Sequence, residues 1–210
     1  MKRVETDPEF GSEIYQLVDD PRSADNIYGE QPYSSNDGSR VTIRFYREGG
    51  QDGGLSLLDL EDQSLHPVLT ESPRFPAFHA WGEHLYYQQQ DGDALVLRRC
   101  NYQTLDKEDI TPLPTEEGRF SYGTTSQDHR YYAASVHSEG GSSKVWCINL
   151  STGESSTLAQ RDDYHFKHEQ FSLDGNNRIL IQANKMPDVA EVHLGALEPD
   201  REGITWYPVD

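Results

Sequence analysis

One pattern recurs four times along the chain, and it restricts the fold more than any other feature. A polar turn leads into an alternating, β-branched or aromatic run: Ser34-Ser35-Asn36-Asp37-Gly38 before Arg40-Val41-Thr42-Ile43-Arg44-Phe45. It returns as Trp81-Gly82-Glu83-His84-Leu85-Tyr86-Tyr87, as Ser126-Gln127-Asp128-His129-Arg130-Tyr131-Tyr132, and as Ser172-Leu173-Asp174-Gly175 running into Arg178-Ile179-Leu180-Ile181. Counted between Asp37, Gly82, Asp128 and Asp174, the spacings are 45, 46 and 46 residues, the period of a propeller blade. Each turn and strand is followed by a second short strand: Gly54 to Leu60, Ala94 to Cys100, Lys144 to Leu150 and, more weakly, Ala190 to Leu197. No stretch shows a sustained 3.6-residue period with caps at both ends, so little helix is expected. The reading is an all-β fold, a β-propeller with about four visible blade repeats over 14–210, following a polar N-terminal segment or fusion remnant over 1–13. Propellers close with roughly four to eight blades, and these four are expected to be part of a larger ring.

Composition narrows the function classes. The 210 residues hold 18 Lys and Arg against 36 Asp and Glu, a net charge of -18. Phosphate neutralisation needs clustered cations, so no nucleic-acid partner is expected. The 12 Tyr, 7 Phe and 3 Trp supply large apolar surface, which argues for a packed globular domain. No run approaches the ~20 apolar residues that cross a bilayer, and no apolar stretch follows Lys2-Arg3 as a secretory signal requires. No membrane association and a cytoplasmic location are expected. Cys100 and Cys147 read as packed thiols rather than a disulfide or metal pair.

Chemistry is sparse and concentrated. The densest polar segment, Arg161-Asp162-Asp163-Tyr164-His165-Phe166-Lys167-His168-Glu169-Gln170, stands where the innermost strand of the fourth blade begins, and a propeller binds ligands where those strands converge. His165 and His168 there, with a neighbouring Lys, Glu and Gln, read as a general base or metal ligands, or else as loop or blade-packing groups. His84 and His129 sit in repeat turns beside acidic residues and read as solvated surface. The stretch Ser138 to Ser143 reads as a hairpin loop, and Gly49 to Gly54 as a hairpin tip without the Lys and helix of a phosphate loop. No Gly-x-Ser-x-Gly elbow is present.

Taken in order, these segments resemble the propeller of the oligogalacturonate lyase family, among the TolB-like propellers. Ile14 to Asp20 with Asn26-Ile27-Tyr28 resembles that family's first strand and aromatic segment. The Asp37-Gly38 turn, Leu57 to Leu60 and Asn149 to Glu154 match its blade pattern. His168-Glu169-Gln170-Phe171-Ser172-Leu173-Asp174-Gly175 resembles its histidine before a Ser-Pro-Asp turn, with Leu173 where Pro is usual. The resemblance implies a seven-bladed ring, β-elimination on short pectin-derived uronides, His168 as the proton-abstracting base, and a Mn2+ ion whose ligands lie outside this chain, so no metal ligand is assigned. Removing a proton alpha to a uronate carboxylate builds negative charge, which a cation must stabilise. Arg47, Arg130 and Lys167 are the candidate substrate-binding cations, within a positive island on an acidic surface.

Fold does not fix function, so two other readings stand beside the lyase. One is a non-catalytic TolB-like propeller that binds a protein partner. The other is the propeller accessory domain of a peptidase.

Overall fold

The computed structural model describes residues 2–25, 33–46, 52–70, 73–79, 82–187 and 191–208. Four antiparallel, four-stranded blades follow one another, each running from its innermost strand outward. Blade 1 comprises β3 (Ser23–Asp25), β4 (Arg40–Tyr46), β5 (Asp52–Asp59) and β6 (Leu65–Leu69); blade 2 comprises β7 (Pro73–His79), β8 (His84–Asp91), β9 (Ala94–Asn101) and β10 (Lys107–Pro112). Blade 3 is β11 (Arg119–Thr125), β12 (Tyr131–His137), β13 (Ser143–Asn149) and β14 (Ser155–Arg161), and blade 4 is β15 (Tyr164–Phe171), β16 (Ile179–Lys185), β17 (Val192–Glu198) and β18 (Arg201–Trp206). Innermost strands β7 and β11 pair in parallel through Thr124 with Phe78 and Thr125 with His79, which joins blades 2 and 3 into one sheet. A separate hairpin, β1 (Lys2–Thr6) with β2 (Glu13–Gln16), precedes the blades. The expected partial propeller is therefore present, and the only helical element among the described residues is a single 3-10 turn, Thr115–Glu117.

The turns that mark the repeat are held by their own side chains. Asp37 accepts the Ser35 hydroxyl at 2.6 Å and the Ser39 amide at 3.0 Å; Asp128 accepts the Ser126 hydroxyl at 2.6 Å and the Arg130 amide at 3.0 Å. Such bonds stabilise the ionised form, and the Asp37 carboxyl falls to about 2. On the outer edge, Asp59, Asn101 and Asn149 each accept the amide two residues on, at 2.9, 2.8 and 2.9 Å, a side-chain turn that reverses the chain between the outer strands.

The central strands of blades 2 and 3 are buried on both faces, because each of these two blades is sandwiched between two others, and their sequences read as near-continuous apolar runs. In β8, Leu85 and Tyr87 join the core between blades 1 and 2, while Tyr86 faces the core between blades 2 and 3. In β12, Tyr132, Ala134 and Val136 face blade 2, and Tyr131 and Ala133 face blade 4. Cys100 and Cys147 are free, buried thiols in these cores, as expected.

Three expectations need adjustment. Gly53 and Gly54 lie inside β5 rather than at a hairpin tip. Gly54 has φ 132°, and the Leu69 carbonyl occupies the place where a Cβ would stand, so glycine is needed for close strand packing rather than for a turn. Residues 49–51, and the Asn26-Ile27-Tyr28 segment, lie outside the described residues. Ile14 to Gln16, likened to a first propeller strand, pair with β1 instead of joining a blade. His84 and His129 are not solvated: they are half-buried, their rings meet edge to face at 5.9 Å, and Tyr86 stacks on His129. The repeat turns from successive blades pack together, which no single turn sequence reveals.

Candidate functional site at the innermost strands

The innermost strands β7, β11 and β15 each carry a register break, between Pro73 and Pro76, Phe120 and Gly123, and Lys167 and Gln170. Such a bulge releases residues from the ladder and re-aims their side chains. In β15 the released pair is His168 and Glu169. His168 adopts φ 56°, a left-handed conformation rare outside glycine, and is exposed; Glu169 is buried at 4% exposure. Phe166 and Phe171 anchor the strand on either side of the bulge in the core between blades 3 and 4.

Polar side chains fill the ladder around the neighbouring bulge in β11. The Gln88 amide donates to the Ser121 carbonyl and to the Tyr132 hydroxyl, both at 2.9 Å. The Glu169 carboxylate accepts the Ser135 amide and its own, yet burial dominates and lifts this carboxyl to about 7. Its Oε1 and the Ser135 hydroxyl have no hydrogen-bond partner among the described residues. The ladders place Ile179 of blade 4 where Tyr132 stands in blade 3, and Glu169, inside the β15 bulge, stands one repeat of 46 residues after Gly123. The Tyr132 ring fills the space that a Cβ on Gly123 would need. Blade 4 has the smaller Ile179 at that position. From blade 1, Arg44 donates to the Tyr122 hydroxyl at 2.8 Å, so the β11 bulge also ties blade 1 to blade 3.

At the start of β15, His165 stacks on His137 from the end of β12, with ring centroids 4.0 Å apart and planes within 8°. Ser143 fixes the pair: its hydroxyl lies 3.1 Å from His137 Nδ1 and accepts the Phe166 amide at 3.0 Å. Burial, then His165 and Arg119, push His137 down to about 4. Burial and Lys167 lower His165. Both rings are therefore neutral at pH 7, with Arg119 close to His137 and Lys167 close to His165. The adjoining cleft, about 530 Å³, is lined in part by Arg119, His137 and Ser138, with Glu116, Glu117 and Glu139 at its rim. Lys144 pairs with Glu117.

Of the residues singled out by sequence, His168 and Lys167 stand together on β15. Arg130 is exposed in the turn before β12, its guanidinium 5.1 Å from the Tyr131 ring; it lies at the opposite end of β12 from His137 and outside the cluster. Arg47 falls outside the described residues. Glu169, His137 and Arg119 carry much of the site's electrostatics; in the sequence Glu169 stands out only as a neighbour of the histidines, His137 reads either way, and Arg119 does not stand out. His137 and His165 are 28 residues apart and meet only through blade packing, while the 46-residue repeat would have flagged Glu169 as a carboxylate in the place of Gly123. Among the described residues no three His, Cys, Asp or Glu side chains converge to hold a metal, so the residues described do not form a manganese site. No helix of the described residues is long and apolar enough to cross a membrane.

No family model matches the chain. No curated protein matches it either. Similar solved structures include an oligogalacturonate lyase from Vibrio parahaemolyticus, at 12% identity and TM-score 0.72, covering 97% of this chain and 59% of that one. An oligogalacturonate lyase in complex with manganese matches at 17% identity and TM-score 0.72, over 98% of this chain and 60% of that one. TolB from Acinetobacter baumannii matches at 13% identity and TM-score 0.63, over 96% and 46%. At such identities the likeness shows the fold alone, a β-propeller, and this chain spans about 60% of the lyases' length.

Proposed function

We propose that this chain carries the proton-abstracting part of a lyase that cleaves short pectin-derived uronides by β-elimination, in a cytoplasmic setting. The observation that supports it most is His168, an exposed imidazole on a bulge of an innermost strand, next to Lys167 and on the same strand as His165. In the reaction, the imidazole takes the proton from the carbon alpha to the uronate carboxylate. The electron pair forms a double bond to the neighbouring carbon, whose bond to the glycosidic oxygen breaks, and that oxygen leaves with a proton from solvent. Charge building on the carboxylate calls for nearby cations. Lys167 and Arg119 are this chain's means of supplying it. The two lyases supply a fold precedent, and one is described in complex with manganese. The described residues do not assemble such a site.

The test is absorbance of the unsaturated product from digalacturonate, with and without manganese, comparing the chain with its His168→Ala variant. Turnover lost in a variant whose far-ultraviolet circular dichroism is unchanged supports the assignment. Full turnover in His168→Ala overturns it. The likeness to TolB keeps a second reading, a propeller that binds a protein partner without catalysis, which silence toward every uronide under both conditions would favour.

A further inference from the structure

The cleft of about 530 Å³ lies over the core between blades 2 and 3, with Leu95 and Phe120 of that core in its wall. Arg119 on β11 and His137 on β12 stand directly opposite each other in the ladder, and both line this cleft. Among the described residues, the Arg119 guanidinium has no hydrogen-bond or ion-pair partner, and the one hydrogen bond of the His137 ring is made by Nδ1 to Ser143. Two groups able to donate therefore share a cavity wall with nothing in the protein to donate to.

The hydrogen bonds of Ser143 decide which nitrogen of His137 carries the proton. Ser143 is 1% exposed, and its hydroxyl oxygen accepts the Phe166 amide at 3.0 Å. A hydroxyl has one hydrogen to give, and the acceptor that it meets among the described residues is His137 Nδ1, at 3.1 Å. Were the proton on Nδ1, the Ser143 oxygen would accept twice and its own hydrogen would be buried without an acceptor, which folded proteins avoid. With the hydroxyl donating to Nδ1, the proton of the neutral ring sits on Nε2. Ser143 on β13 and Arg119 on β11 flank His137 from opposite sides, so the nitrogen turned away from Ser143 is on the Arg119 side. The His165 ring, parallel and 4.0 Å away, covers one face of the imidazole and holds its plane.

We propose that Arg119 and His137 bind the carboxylate of a small ligand in this cleft, with Ser143 the positioning residue that keeps His137 a neutral Nε2–H donor. A guanidinium and a neutral N–H together offer one positive charge and several directed donors, which match a single carboxylate. A doubly charged phosphate is opposed by the acids at the rim: Glu117 is paired with Lys144, whereas Glu116 and Glu139 have no ion-pair partner among the described residues. Arg119 is also a cation of the proposed lyase, so the identity of the ligand, a uronate, rests on that reading; binding through these side chains does not require turnover.

The experiment is nitrogen NMR of the histidine rings in the full chain at neutral pH, with galacturonate as the probe, since this monomer has no glycosidic bond to break. The His137 signal, assigned by its loss in His137→Gln, is expected to show the proton on Nε2 and to shift with galacturonate, but not with galactose or inorganic phosphate at equal concentration. Arg119→Gln weakens binding about tenfold or more, as the loss of a charge-assisted hydrogen bond requires. Ser143→Ala mixes the two tautomers and weakens binding, and Ser143→Thr, which keeps the hydroxyl, restores both. If a Ser143 variant does not fold, the wild-type tautomer and Arg119→Gln decide. A proton on Nδ1 overturns the proposal, as does the absence of any shift up to ~50 mM galacturonate, or equal binding of galactose or phosphate. Galacturonate binding without cleavage of digalacturonate counts against the lyase and supports this site. Cleavage by a folded Arg119→Gln that binds galacturonate as the wild type does overturns this site and leaves the lyase standing.

Discussion

Replacing Glu169 with Gln should make the protein more stable at pH 8 than the wild type, an unusual outcome for a buried charged residue. The carboxyl is buried at 4% exposure, one oxygen is unpartnered, and its pKa rises from 4.5 to about 7. A folded-state value above the unfolded one means the folded protein holds the proton more tightly. Stability from this group is then fullest below about pH 4.5 and is lost as pH rises through 7. At about 1.4 kcal/mol per unit, 2.5 units cost about 3 kcal/mol at pH 8. Gln keeps an oxygen for the Ser135 amide and has no charge to desolvate. Urea unfolding from pH 5 to 8, with unchanged m-values, should give a variant equal to the wild type within about 1 kcal/mol at pH 5 and more stable by up to about 3 kcal/mol at pH 8. His137 titrates in both proteins, so its contribution cancels in the difference. Parallel pH profiles for the two proteins, or a variant less stable at pH 8, would refute the reasoning.

Other expectations rest on separate features. His137 has a folded value lowered to about 4 from 6.5, so its contribution is complete above pH 6.5 and is lost as pH falls toward 4; His137→Gln should flatten acid destabilisation by about 1 kcal/mol, allowing for solvent screening of a half-buried ring, as read from unfolding at pH 4.5 and 7. Gly123→Ala drives a methyl into the Tyr132 ring and should cost about 1–3 kcal/mol, measured as a lower urea midpoint, whereas the same change at Gly140, whose nearest contact is 3.9 Å away, should leave it within about 0.5 kcal/mol. Cys100 and Cys147, at 0% and 2% exposure, should react with a thiol reagent only at the rate of unfolding; fast labelling of either in the native protein would contradict the blade packing.

The local chemistry of this chain was written in its sequence. The Asp37, Asp128 and Asp174 turns, the alternating runs after them and the absence of capped helical periods gave four blades, because turn hydrogen bonds and strand patterning act between residues close in the chain. The polar segment before Asp174 was correctly placed as the start of an innermost strand, β15, since the repeat period fixes where each blade begins. What the sequence left open depends on contacts between blades. The His137 and His165 stack, the burial of Glu169 behind the β11 bulge and the half-burial of His84 and His129 arise where residues tens of positions apart are brought within a few ångströms. Burial and neighbouring charge set the protonation of these groups, and neither is a property of a short segment.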